Sequence, residues 1–567
     1  MNKKDEIDAA EAVSDPARRR FLSTIGKAGL GAAAVAAAGP SLDRSLSTAG
    51  QNRMKGTRFY EQRANAAYQY RVSRALANRE DPISPDRIAN GDEQLYPEKF
   101  ASYSKGLLHQ PNGEVDPESY NSLLRALKGT SPEFFEQIII GGEVKLTDPQ
   151  SALAFDLEGG DPFSFGMPPA PAFASREQAA EIAENYWMAV CRDVPFGSYL
   201  SDPRTNAAAA DLTRFGDDFK GAKNNAGQVT PDVLFRGVTA GDKIGPYISQ
   251  FYYLPCWFGV NKLDQRIRTV LRIVDGGSDF MTDFDSWLHI QNGGVPTEVD
   301  ITDPTPRYIR SGRDIGMWVH ADMLFQAYFQ AFLVMHGQGI AYDAGNPYRD
   351  SATQVGFGTF GWPHVASLLG EVASRALKVV WNQKWFVHRR IRPEAFAERV
   401  DRTAFHGGSY PVHQEILDSV TSAGRLGAYL SPGNAFLPMQ FPEGCPTHPS
   451  YGAGHATVAG ACSTILKAWF DETAIIRDPV VPDPAGVTLF PYSGPAQLTV
   501  GGELNKLASN VALARNAAGV HWRSDCTESL KLGEAVAISL LRDQKDSFNE
   551  SFSGFSLTKF DGTTITI

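Results

Sequence analysis

The sequence predicts a mainly α-helical protein, made of packed helical bundles with long connecting loops and minor β-hairpins. Apolar residues recur at positions i, i+3, i+4 and i+7 along several long stretches, whereas the alternation typical of strands is sparse. A hydrophobic content of 43% and a charged content of 21% over 567 residues are typical of a globular protein with a sizeable core. No short repeat or heptad array is apparent, which argues against a solenoid.

Residues 1–50 are predicted to be a signal peptide and tether. Arg18, Arg19 and Arg20 precede an apolar run rich in Ala and Gly, residues 25–39, which Pro40 follows. This pattern is typical of the twin-arginine export route, so the mature protein is expected in the periplasm or outside the cell. The apolar run is too short and too rich in small residues for a membrane span, and none is expected.

Helices are predicted along the rest of the chain. We divide it into a helical amino-terminal part with loops, residues 51–300, and a carboxyl-terminal part, residues 301–567, that carries the chemistry. Segments 80–120 and 150–175 are rich in Pro, Gly and Asp and are expected to be loops, and Asp561-Gly562 predicts a terminal hairpin. The predicted helices span residues 54–79, 176–191, 315–335, 365–389, 454–471, 504–520 and 529–543.

Net charge and cysteine usage limit the classes of partner and metal site that the protein can have. The formal net charge is −10, which argues against nucleic acid as a partner and makes a basic cluster a local anion site. The five cysteines are widely spaced and form no CxxC motif. A cysteine-ligated metal is therefore not expected, and most cysteines are expected in the core.

The first of three segments that carry chemical groups runs from Lys384 to Pro393. Lys384 and Arg392 lie eight residues apart, slightly more than two helical turns, so they can face the same way on a helix that ends near Arg389. Pro393 is expected to stop this helix and to fix the direction of Arg392. Arg suits a two-point grip on an oxyanion, and Lys supplies a compact charge. A solvated basic face is the alternative interpretation.

The second segment runs from His448 to His455. Gly454 leads into a helix, and the free N–H groups of a helix start bind anions, while glycine allows close approach. His455 would lie in the first turn beside the anion, where it can act as a general acid or base. His448 lies on the preceding loop. A structural role is the alternative for either histidine.

The third segment runs from Arg515 to Asp525. Arg515 and His521 are six residues apart, a poor match for one helical face, so Gly519 is expected to end the helix and let His521 turn inward. Asp525 lies four residues further on and could orient the imidazole of His521. If the three segments converge, they form a cationic cage that only a multiply charged, phosphate-like oxyanion would neutralise.

These residues resemble those of the vanadium-dependent haloperoxidases, which share their fold and anion site with the type 2 phosphatidic acid phosphatase superfamily. The similarity covers about residues 300–545 and is nearest to the algal and cyanobacterial bromoperoxidase branch, which has the same Lys-to-Arg spacing of eight. Its further motifs are Gly312-Arg313-Asp314, His320-Ala-Asp322, Gly345-Asn346-Pro347-Tyr348 and Trp381-Asn-Gln-Lys384.

The resemblance implies that vanadate is the cofactor. His521 would be the one protein ligand of the vanadium, and the equatorial oxygens would be held by Lys384, Arg392, Arg515 and the N–H of Gly454.

The resemblance also implies catalytic roles. His455 would exchange protons with the axial oxygen, Lys384 would polarise bound peroxide, and Asp525 would support the ligand histidine. Trp381 and His448 would line the halide pocket, and His at position 448 indicates bromide and iodide as halides. Hydrogen peroxide, a halide and a small organic molecule are therefore the expected partners, and a homo-oligomer is expected. A structural calcium ion is considered for the loop at residues 346–357.

One position departs from the family. Ala453 stands where most members have Ser before Gly-His, which removes a hydroxyl donor to vanadate. Two other functions stay open at this point. An acid phosphatase of the same superfamily would use the same cage, because phosphate and vanadate have the same shape. A non-catalytic exported protein that retains the fold has only Ala453 in its favour.

Overall fold

The computed structural model describes residues 57–81, 83–269 and 279–567, so the expected signal peptide lies outside the described residues. Across these ranges the chain forms fifteen α-helices and three small antiparallel strand pairs, which confirms the mainly α-helical prediction. The helices are α1 Thr57–Glu80, α2 Asp92–Leu95, α3 Pro117–Gly129, α4 Pro132–Phe135, α5 Arg176–Cys191, α6 Pro203–Thr213, α7 Phe284–Gln291, α8 Gly312–Trp318, α9 Gln326–Gly337, α10 Trp362–Asn382, α11 Pro393–Phe405, α12 Gln414–Thr421, α13 Gly454–Trp469, α14 Val500–Ala517 and α15 Arg523–Lys545. In the part of the chain that the structure describes, we find no helix with the length and apolar character that a bilayer crossing requires.

The strands pair as short hairpins. They are β1 Cys256–Phe258 with β2 Asn261–Leu263, β3 Val480–Pro482 with β4 Leu489–Pro491, and β5 Ser556–Thr558 with β6 Thr564–Thr566. The last pair is the predicted terminal hairpin, in which Gly562 has a positive φ of 85°.

The chain divides into two compact units, residues 1–73 and Arg74–Ile567. Residues 57–73 of α1 are the described part of the first unit. Residues on both sides of position 300 belong to the second unit, and the division at that position stays a prediction. All five cysteines are buried and free, as expected for core residues.

Helix α13 is at the centre of the second unit, where it packs against α10, α14 and α15. Every residue of α13 except His455 is buried. Two glycines allow α13 and α15 to touch backbone to backbone. A Cβ on Gly460 would lie 2.0 Å from the carbonyl oxygen of Leu530, and one on Gly533 would lie 1.9 Å from that of Thr457. The helices that begin at Gly454 and just after His521 are therefore held together along their length.

One predicted helix, residues 315–335, is wrong, because the structure has α8 and α9 with an irregular segment between them. In a continuous helix the carbonyl of Val319 would bond to the N–H four residues later. Here it accepts a hydrogen bond from Arg515 at 2.8 Å. The side chain of Asp322 meets His455 at 2.8 Å. Both contacts pull the segment out of helical geometry and toward the anion cage.

The prediction for Lys384 to Pro393 is also corrected. Helix α10 ends at Asn382 and continues as a π-helical turn, Gln383–His388, and Arg389 then takes a left-handed φ of 35°. Pro393 starts α11 instead of stopping a helix, and Arg392 is its N-terminal flanking residue. Lys384 and Arg392 therefore meet because the chain reverses between them and not because they share one helical face.

Candidate active site

The structure brings the six predicted cofactor-binding residues into one region at the amino end of α13. Lys384 follows α10, Arg392 precedes α11, Gly454 and His455 begin α13, Arg515 is in the last turn of α14, and His521 precedes α15. Lys384, Arg392, Arg515 and His521 are at most 5% exposed.

Three cations converge without the acids that usually accompany buried charge. The Lys384 ammonium donates to the carbonyls of Pro449 and Ser450 at 2.7 and 3.0 Å. Arg392 donates to the carbonyls of His448 and Val520 at 2.9 and 2.6 Å. No carboxylate lies within ion-pair distance of Lys384, Arg392 or Arg515 in the described ranges. Unpaired buried charges are costly, so this arrangement favours an anion between them.

His521 is oriented by a carboxylate on one side and faces a cation on the other. Its Nδ1 lies 2.8 Å from Oδ2 of Asp525, which fixes Nδ1 as the N–H donor. Its Nε2 therefore carries a lone pair, and it lies 3.2 Å from a guanidinium nitrogen of Arg392. Burial, together with Arg392 and Lys384, holds the pKa of His521 well below its usual value. A neutral imidazole whose Nε2 lone pair contacts only the guanidinium of Arg392 is suited to bind a metal centre once that contact is exchanged.

Asp525 is itself held by several groups. It accepts from Arg390 at 2.8 Å, from the backbone N–H of Trp522 at 3.1 Å and from the hydroxyl of Ser450. The N–H contact begins α15 at Arg523, six residues earlier than the sequence predicted. The carboxylate that accepts the hydrogen bond from His521 is thus fixed in position.

His455 and Asp322 form a second imidazole–carboxylate pair. Nε2 of His455 lies 2.8 Å from Oδ1 of Asp322, and the His455 side chain is 15% exposed. Burial lowers the pKa of His455; Asp322 opposes this shift, and Arg515 adds to it. The sequence motif contains Asp322 but does not indicate its role. The available signal is its position two residues after His320, in a segment that was predicted to be helical.

His448 and Trp381 lie side by side next to the cations. Their ring centroids are 4.7 Å apart, and Nδ1 of His448 is 2.9 Å from Arg392. The Lys384 ammonium lies 5.6 Å from the Trp381 ring centroid. Burial, followed by Lys384 and Arg392, lowers the pKa of His448 well below its usual value. This pair forms an uncharged wall beside a strongly positive site.

The start of α13 is built for close approach. A Cβ at Gly454 would lie 3.1 Å from the Trp381 ring, so a larger residue would press on that wall. The N–H of Ala453 is bound by the hydroxyl of Ser529 at 2.8 Å, whereas the first N–H groups of a helix have no partner within it. Ala453 precedes the helix and provides no side-chain cap. The Gly454 N–H is thus the first backbone donor that can face an anion.

The amino-terminal part of the chain also supports the site, which the sequence analysis missed. Glu181 on α5 pairs with Arg390 at 2.6 Å, and Asn185 donates to the carbonyl of His521 at 3.0 Å. The available signal was a row of polar side chains at helical spacing on one face of α5: Gln178, Glu181 and Asn185.

The fit of a tetrahedral or bipyramidal oxyanion is supported by an atom that lacks a partner. Nε of Arg515 is a buried donor that has no hydrogen-bond partner among the described residues. Together with the three cations and the lone pair of His521, it matches a ligand with several oxygens around one electrophilic atom. In the same ranges no cluster of three or more His, Cys, Asp or Glu side chains could hold a metal ion. The loop at residues 346–357 has one carboxylate, Asp350, so the calcium ion stays a prediction.

Comparison with known proteins gives a consistent result. A family described as the VCPO second helical-bundle domain matches residues 365–550. Vanadium-dependent bromoperoxidases of Corallina pilulifera and Corallina officinalis are 36% and 35% identical to the chain, over 89% of this chain and 99% of each relative. One from Ascophyllum nodosum is 33% identical over 89% of this chain and 92% of its own length. The solved homohexameric second vanadate-dependent bromoperoxidase of Ascophyllum nodosum has a TM-score of 0.82 and 29% identity, covering 88% of this chain and 90% of that chain.

Proposed function

We propose that this chain, which belongs to the vanadium-dependent haloperoxidases, oxidises bromide and iodide with hydrogen peroxide and so halogenates small organic molecules. The observation that carries the proposal is the set of three buried cations without carboxylate partners around the lone pair of His521. An acid phosphatase is disfavoured, because the relatives that cover most of the chain are named bromoperoxidases.

Each residue of the cage has a proposed task. His521 would bind the vanadium through Nε2, while Lys384, Arg392, Arg515 and the Gly454 N–H would hold the oxygens of vanadate. Vanadate, when bound, would act as a Lewis acid that activates peroxide, and the oxidation state of the vanadium would not change.

His455 would move a proton from peroxide to the leaving oxygen. Its lowered pKa leaves it neutral near neutral pH, so it can accept a proton from peroxide and return it to the leaving oxygen. Asp322 would hold the imidazole in position through Nε2. Lys384 would polarise the bound oxygens, and Trp381 with His448 would line the halide pocket.

The proposed function is tested with purified protein, orthovanadate, hydrogen peroxide and bromide, scored by bromination of a phenolic dye. We expect dye bromination that requires all three additions. A matched reaction contains a phosphate ester in place of bromide, peroxide and vanadate, because vanadate would occupy the site that a phosphate ester needs. Hydrolysis of the ester without dye bromination would support a phosphatase, and bromination without vanadate would exclude the assigned cofactor.

We also propose export and self-assembly. Arg18, Arg19 and Arg20 before the apolar run support passage by the twin-arginine route to the periplasm or the outside of the cell. The homohexameric form of the structural relative supports a homo-oligomer for this chain. Cell fractionation and light scattering of the purified protein test these two points.

Ala453→Ser is expected to strengthen vanadate binding by about tenfold, because a hydrogen bond to a charged acceptor contributes roughly 1.5–3 kcal/mol. Ala453 is buried at the start of α13 beside the proposed site, so the new hydroxyl would face the oxyanion. The dissociation constant is measured by calorimetry of the metal-free protein with vanadate. Ala453→Gly removes the methyl group without adding a donor and should not strengthen binding. Equal affinities for the Ser variant and the parent would mean that another group already supplies this bond.

Vanadate affinity is expected to fall as the pH rises toward and through about 10. Burial lowers the pKa of Arg515 to about 10; Asp322 opposes this shift, and Arg392 adds to it. Burial, followed by Arg392, holds the pKa of Lys384 well below its usual value. Only the protonated forms attract an oxyanion, so the attraction is complete below these pKa values and is lost above them.

Calorimetry across the alkaline range measures this dependence. Arg515→Lys is the control, because the ordinary pKa of lysine is lower than that of arginine, so the fall should move to lower pH. The ionisation of free vanadate is the same in both experiments. An unchanged midpoint in the Lys variant would assign the pH dependence to the anion instead of the protein.

A further inference from the structure

Met323 differs from the other sulfur-containing residues of the described chain in its exposure. Its side chain is 62% exposed, whereas the five cysteines are at most 1% exposed. Among the other methionines of the described ranges, Met317 is partly buried and the rest are at most 3% exposed: Met167, Met188, Met281, Met335 and Met439. Among the described residues, Met323 is therefore the sulfur-containing residue that is most accessible to an electrophile in solution.

Met323 also lies beside the site. It follows Asp322, whose carboxylate is 2% exposed and contacts His455, so the chain passes from the buried site to the surface within one residue. Its carbonyl accepts from the N–H of Gln326 at 2.6 Å, which fixes the main chain just before α9. His455, which contacts Asp322, is the one residue of α13 that is not buried, so the site is accessible to solvent at the residue that Asp322 holds.

We propose that Met323 is a modification site at the site entrance, where hypobromous acid made by the enzyme converts the thioether to a sulfoxide. The proposal rests on the function proposed above. The sulfur lone pair attacks bromine and the O–Br bond breaks, giving a bromosulfonium ion and hydroxide. Water then adds to sulfur, bromide leaves and two protons are lost. Sulfur is oxidised by two electrons, bromine is reduced to bromide, and methionine sulfoxide reductases can reverse the change.

The position of Met323 gives the modification a consequence. The thiols that would react faster as thiolates are buried, and burial raises the pKa of Cys445 and Cys462 far above the usual range. Oxidant that leaves the site without meeting an organic acceptor would be consumed by Met323 before it reaches the core. Met323 would thus scavenge hypobromous acid near the site, and reduction of the sulfoxide would regenerate it.

The test is peptide mass spectrometry of the vanadate-loaded protein after turnover with peroxide and bromide but no organic acceptor. We expect one added oxygen on the peptide that contains Met323 and none on peptides with buried methionines or cysteines. Reactions without bromide or without vanadate should show only the slow oxidation of Met323 that hydrogen peroxide produces alone, well below the extent in the complete reaction. Met323→Leu should keep the rate of dye bromination and lose the modification, and Met317→Leu should keep both.

A second experiment tests whether the oxidant acts near its origin. Reagent hypobromous acid and enzymatic turnover are compared in the presence of excess free methionine. We expect the free methionine to abolish modification of Met323 by the reagent but to leave a modified fraction during turnover. Dye bromination with an unmodified Met323, or modification of Trp381 or His448 first, would overturn this proposal alone. Absence of dye bromination would remove the proposed function and this proposal with it.

Discussion

His521→Ala is expected to abolish vanadate binding and halogenation, with activity lower by more than about 10³-fold. Removal of a single hydrogen-bond donor to a reacting oxyanion typically costs 10²–10³-fold, and His521 is the proposed direct ligand. Its Nε2 has its lone pair toward the cage because Nδ1 is bound to Asp525 at 2.8 Å. None of the neighbouring cations could take over the ligand role. Calorimetry with vanadate and dye bromination measure the two losses.

A matched control for this variant is His336→Ala. His336 is an exposed histidine on α9 and has no proposed role in the site. It should keep vanadate affinity and activity. Circular dichroism should show the same helical content for both variants, because His521 contributes its side chain to the site and its carbonyl to Asn185. Vanadate-dependent bromination that survives in His521→Ala would refute the ligand assignment.

His455→Ala is expected to lower the turnover number by about 10²–10⁴-fold, the usual contribution of a general acid–base residue. Vanadate affinity should fall much less, because the three cations and His521 remain. A loss of turnover number with little loss of vanadate affinity would distinguish His455 from His521, whose replacement should abolish both. The turnover number comes from dye bromination at saturating bromide and peroxide, and the affinity comes from calorimetry.

Asp322→Asn completes this comparison. The amide keeps the shape of the side chain but loses the charge that holds His455 at 2.8 Å. We expect a smaller loss than for His455→Ala, about 10–100-fold, consistent with one charge-assisted hydrogen bond. Glu443→Gln is the control, since Glu443 bonds to His320 at 2.6 Å and not to His455. Equal losses for Asp322→Asn and Glu443→Gln would indicate a general effect of charge instead of positioning.

The fold was predictable where helical periodicity is strong and unpredictable where tertiary contacts override it. Helix α5 has the predicted bounds, and the terminal hairpin forms around Asp561-Gly562. The break between α8 and α9 could not be predicted, because it depends on the bond from Arg515 to the carbonyl of Val319, almost 200 residues away in sequence. Local apolar periodicity contains no information about such a contact.

The candidate residues of the site could be selected from the sequence because their chemical types are unusual for a core. Cations and imidazoles at the buried positions 384, 392, 515 and 521 have few structural explanations. The way in which they converge was not predictable, since a π-helical turn and the left-handed Arg389 bring Arg392 back toward Lys384. The support from Glu181 was missed because its partner, Arg390, is more than 200 residues away.

The contact between α13 and α15 through Gly460 and Gly533 affects how this enzyme can be altered. The separation of the proposed base His455 and the proposed ligand His521 is set by main-chain atoms of two touching helices, so it has little freedom to adjust by repacking of side chains. Directed evolution of halide or substrate preference should then find its useful changes in the surrounding loops. Substitutions at the helix contact would prevent folding, so selection would remove them.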